Sequence, residues 1–128
     1  MNDREHAEQL LRMASKDLKA LQGMMDAEVF EDEVFGFHAQ QAVEKALKAW
    51  IAALGKRFPK THDIEDLIEV LEAESQDIRE DVLTLVSLYP FAVQYRYETS
   101  DTEDEPLNRG DILRSVVSLI DRVRHFVK

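Results

Sequence analysis

Residues 31–54 read EDEVFGFHAQQAVEKALKAWIAAL, and this stretch decides the fold. Phe35, Ala39, Ala42, Ala46 and Trp50 recur at spacings of three and four, which puts them on one face of a helix. Glu31, Asp32 and Glu33 fill the first turn, where negative charge suits the positive end of the helix dipole, and Gly55 follows the last apolar residue as a stop. The expectation is a helix from Glu31 to Leu54 with one face in a core. On the flank beside that face, His38, Gln41, Lys45 and Lys48 form a polar stripe about 15 Å long by helical rise.

The same periodicity runs through most of the chain. Leu11, Ala14, Leu18, Leu21 and Met25 predict a packing helix over Asp3–Asp26. Ile64, Leu67, Ile68 and Leu71 predict a shorter helix with Thr61 as its N-cap and Asp63 and Glu65 in the first turn. Ile78, Val82, Leu85 and Tyr89 predict another before Pro90, which removes a backbone donor and must kink or end it; a kinked continuation through Phe91–Tyr97 is favoured. Glu98–Glu105 holds five acids, no base and no apolar residue, and reads as an exposed loop. Leu107–Val127 predicts the last helix, burying Ile112, Val116, Leu119, Val123 and Phe126. With 128 residues, four glycines, three prolines and no internal repeat, the expectation is one domain over 1–128: an all-α, antiparallel up-and-down bundle of four to five helices.

Composition narrows the function. There is no cysteine, so disulfides, thiolate metal sites and cysteine nucleophiles are excluded. The four histidines, at 6, 38, 62 and 125, have no spacing of three or four between them, and no metal or cofactor is expected. No apolar run approaches a membrane span and the first residues carry no signal core, so a cytoplasmic protein is expected. The net charge of −10 argues against coating nucleic acid with the whole surface. Yet Val34–His62 holds five Lys/Arg (Lys45, Lys48, Lys56, Arg57, Lys60) against one acid, Glu44. A phosphate or a base edge suits such a row of ammonium, amide and imidazole groups. The alternative is a solvated flank whose lysines pair with Glu44 or with a neighbouring helix. In the loop 55–62, Lys56, Arg57, Lys60 and His62 precede a helix start whose free donors favour an anion; the alternative there is a solubilising turn.

The run Phe37-His38-Ala39-Gln40-Gln41-Ala42-Val43-Glu44-Lys45-Ala46-Leu47-Lys48-Ala49, with Thr61-His62-Asp63-Ile64 and Tyr95-Arg96-Tyr97 downstream, resembles the HEPN domain family of helical-bundle proteins. The resemblance covers essentially the whole chain. It implies a homodimer, a small nucleotidyltransferase as partner in a two-component, toxin–antitoxin-like pair, and a nucleotide or RNA as ligand. It also implies ribonuclease activity where an arginine is followed, after four to six residues, by a histidine in a late helix. Arg96 matches that arginine, but Asp101, Thr102 and Glu103 stand where the histidine belongs. Arg57 and His62 satisfy the bare spacing in a different place. The candidate binding residues are therefore His38, Gln41, Lys45, Lys48, Arg57, Lys60, His62 and Arg96, and the candidates for acid–base chemistry are Arg96, His38 and His62. A nucleotide- or RNA-binding subunit is the first reading, a divergent toxin ribonuclease the second, and a dimerisation module without ligand the third. Tyr89, Tyr95 and Tyr97 suit an interface or core, and Tyr95 and Tyr97 are also candidate sites of nucleotidylation.

Overall fold

In a computed structural model, which describes residues 2–88, 90 and 106–127, the chain is helical with no strand among the described residues. The first helix, α1 (Asp3–Gln22), begins at Asn2, whose side chain accepts the Glu5 N–H at 2.8 Å. It buries Ala7, Ala14 and Leu21, seven residues apart, and its alanines let the next helix approach closely. The helix stops four residues short of the expected end: Gly23 and Met24 donate to Ala20 and Leu21 in a closing turn. Met25, expected on the buried stripe, therefore falls in the connection and is 39% exposed.

The central element is α2 (Asp32–Ala53), within a residue of the expected bounds. Phe35, Ala39, Ala42, Ala46 and Trp50 are fully buried as their spacing requires, and so are Val43, Leu47 and Ile51 around them, because α1, α3 and the last helix all pack on it. Its end is closed by Gly55, which adopts φ +74°, while Lys56 N–H reaches back to the Ile51 carbonyl at 3.2 Å. A side chain on residue 55 would be strained in that left-handed conformation.

Next come α3 (Ile64–Ala73) and α4 (Arg79–Val86). Ile64, Leu67, Ile68 and Leu71 are buried as expected, as are Ile78, Val82 and Leu85. The N-cap of α3 is Asp63, not Thr61: its carboxylate accepts the Glu65 N–H, while Thr61 Oγ1 accepts the Asp63 N–H and donates to Asp66. Arg79 fastens the two helices, lying 2.8 Å from Glu65 and 2.7 Å from Glu72. Its hydrogen bonds hold the Glu72 carboxyl below its ordinary pKa.

The last helix, α5 (Arg109–Val127), buries Ile112, Val116, Leu119 and Val123 on the expected stripe. Phe126, expected inside, is 42% exposed, and Val127 takes the buried position instead. The Phe126 ring lies over the indole of Trp50, 4.8 Å between centroids, and so covers the core from its rim.

Contacts fix the directions. Arg109, at the start of α5, bonds to the α1–α2 connection, whereas Phe126 at its end meets Trp50 near the end of α2. Thus α2 and α5 run the same way, and α1 runs against both. Thr84 and Ser115 meet at 3.5 Å, and Arg122 donates to the Asp77 carbonyl, so α4 runs against α5. The departure from strict alternation lies in residues 55–62, which double back along α2 as a loop and bring His62 beside Gln40 and Glu44. The segment after Pro90, the acidic run 98–105, Arg96 and the three tyrosines lie outside the described residues.

Candidate functional site

The polar stripe of α2 divides into two clusters. On the α1 side, Lys45 Nζ lies 2.7 Å from Asp17 Oδ2, and His38 Nδ1 stands 3.6 Å from Asp17 Oδ1, beyond hydrogen-bond reach. On the loop side, Gln40, Glu44 and Lys48 recur every four residues and so share one edge of the helix. Lys48 Nζ is 2.9 Å from Glu44 Oε2, His62 Nδ1 is 3.0 and 3.2 Å from the two Glu44 oxygens, and Gln40 donates to the His62 carbonyl at 2.5 Å. Gln41 lies between the clusters, half-buried, and makes no side-chain hydrogen bond among the described residues.

The lysines are thus paired inside the fold, in the way the solvated-flank reading anticipates: Lys48 with Glu44, Lys45 with a neighbouring helix. Lys56 adds a looser pair with Glu74 at 3.7 Å. Arg57 and Lys60 are different, since both are exposed and neither makes an ion pair among the described residues. Phe58 seats the loop between them: its ring lies 5.6 Å from that of His6 on α1 and 5.3 Å below the Lys48 ammonium. An anion at the start of α3, expected from the sequence, meets an occupied cap there. Asp63, Glu65 and Asp66 make that first turn negative.

The result is a loop fixed to α2 by buried polar groups, with an exposed imidazole and two exposed cations that have no ion pair among the described residues. Such a surface can accept an oxyanion. The sequence missed Asp17, Gln40 and Phe58 as partners of the site; the four-residue spacing of Gln40, Glu44 and Lys48 was the available signal. Among the described residues no group of His, Asp and Glu is placed to hold a metal ion. Nor is any described helix long and apolar enough to cross a membrane.

The class is therefore an all-α bundle domain that presents an anchored basic loop beside its central helix. The chain belongs to the HEPN domain family, whose model matches residues 7–128. Comparison with curated proteins and with solved structures gave no match.

Proposed function

We propose that this HEPN domain is a nucleotide- or RNA-binding subunit that holds phosphate at the loop 55–62. It acts as a homodimer with a small nucleotidyltransferase in a two-component, toxin–antitoxin-like pair. One observation carries the reading of the site: among the described residues Arg57 and Lys60 have no ion pair, and they are exposed in the same loop that Glu44 and Gln40 fasten through His62. Exposed cations on a fixed backbone are available to a ligand, and the family membership supports a nucleotide or RNA as that ligand. Gln41, between the two clusters, supplies a free amide for a base edge. Arg96 remains part of the proposal from the sequence.

Arg57→Ala with Lys60→Ala tests it through fluorescence anisotropy of a labelled short oligoribonucleotide. Each cation removed should raise Kd by about tenfold, since hydrogen bonds to charged groups contribute about 1.5–3 kcal/mol. The slope of log Kd against log salt should shrink by about 0.7 for each phosphate no longer neutralised. Melting should be unchanged, because neither side chain is paired among the described residues. Equal affinity of the double variant and the parent would refute the site. Cleavage of the oligomer that disappears in Arg96→Ala would instead establish the ribonuclease reading.

A further inference from the structure

Glu44 is a carboxylate in the middle of the most buried helix, 4% exposed. Such a group is retained at a desolvation cost unless it is paired and hydrogen-bonded. Its two oxygens meet Lys48 Nζ and His62 Nδ1. A carboxylate only accepts, so the proton between Glu44 and His62 resides on Nδ1. The imidazole, its side chain 58% exposed in the loop that carries Arg57 and Lys60, leaves Nε2 as the ring nitrogen without a partner among the described residues.

The other described histidines lack this arrangement. His38 stands too far from Asp17 for a hydrogen bond, His125 Nδ1 meets the Asp121 carbonyl, and His6 stacks on Phe58. His62 meets Glu44 of α2 directly and shares that carboxylate with Lys48; Arg57, Lys60 and Asp63 belong to its own loop, Asp66 of α3 is tied to the neighbouring Thr61, and His6 of α1 stacks on the loop's Phe58. A neutral Nε2 is a lone-pair acceptor and repels a phosphate oxygen. A protonated one donates to it, with Glu44 balancing the charge of the ring.

We propose that Glu44 is a positioning residue and that phosphate binding at this loop takes up a proton at His62 Nε2, so that affinity rises as pH falls. This rests on the phosphate-binding reading of the same site and adds its regulation.

The test is calorimetric titration of the full chain with a short oligoribonucleotide at about pH 6 and about pH 8, in buffers of differing ionisation enthalpy. The parent should bind about tenfold more tightly at the lower pH and take up protons. His62→Gln should bind with neither effect. Glu44→Gln, which keeps a hydrogen-bonding amide, should lose most of the proton uptake, and imidazole nitrogen shifts at high pH should show the Nδ1–H tautomer of His62 in the parent but not in this variant. Binding that is independent of pH, a pH dependence that survives in His62→Gln, or an Nε2–H tautomer in the parent each overturns the proposal while leaving the site standing. Absence of binding at both pH values overturns the phosphate-binding reading and this proposal together.

Discussion

Arg109→Ala should destabilise the protein by about 3–5 kcal/mol, the cost of breaking a buried charge network by removing one partner. The Arg109 guanidinium is buried at the start of α5, where it donates to the Met24 carbonyl at 2.6 Å, the Phe30 carbonyl at 2.5 Å and Asp32 at 2.9 Å. It also lies over the Phe35 ring at 5.0 Å. No other side chain could replace these bonds at once, because they come from two backbone positions of the α1–α2 connection and one carboxylate of α2. Truncation strands both carbonyls and leaves a void beside Phe35, each a separate penalty. Lysine should rescue little, since one ammonium cannot reproduce a planar fork. Urea denaturation of Arg109→Ala and Arg109→Lys measures both; a loss under about 1 kcal/mol for alanine would show that the network is dispensable.

Lys48→Ala should cost about 3 kcal/mol, although lysine is ordinarily a surface residue. Its ammonium is one of two partners of the buried Glu44, and its removal leaves that carboxylate with His62 alone. Glu44→Leu combined with Lys48→Leu should recover most of the loss, because replacing a buried pair by apolar groups removes the desolvation cost along with the attraction. His62 tolerates that exchange, as its exposed ring can be hydrated instead. If the double variant is no more stable than Lys48→Ala, the pair contributes more than its own neutralisation. The same argument bars Lys48→Ala, and Lys45→Ala with it, from serving as a clean probe of ligand binding: each strands an acid inside the bundle.

These two residues mark what the sequence could convey. The helices were legible because burial on one face imposes a period near 3.6, and Ile64, Leu67, Ile68 and Leu71 obey it without exception. Errors fell at the ends, where a single turn decides: Gly23 closed α1 before Met25, and Asp63 outcompeted Thr61 for the cap of α3. Phe126 went outward because Val127 takes the buried position at that end of α5 while Phe126 stacks over Trp50 at the rim. The burial of Arg109 was illegible, since it depends on carbonyls 79 and 85 residues away in the chain. In the candidate site, the positive charge of Val34–His62 was countable, but which lysines are neutralised depends on the register of α1 against α2 and on a loop that doubles back. That register separates Lys45 and Lys48, which are paired within the fold, from Arg57 and Lys60, which have no ion pair among the described residues.

The proposed phosphate site at residues 55–62 beside Glu44 can be mapped by nuclear magnetic resonance. Titrating isotope-labelled protein with a short oligoribonucleotide should shift the amides of Lys56–Asp63 and the side-chain signals of Gln41, Arg57 and His62, while the α3–α4 surface around Glu72 stays still. Saturable shifts confined to another face, or none at ligand concentrations that saturate the anisotropy signal, would rule out this loop as the phosphate site.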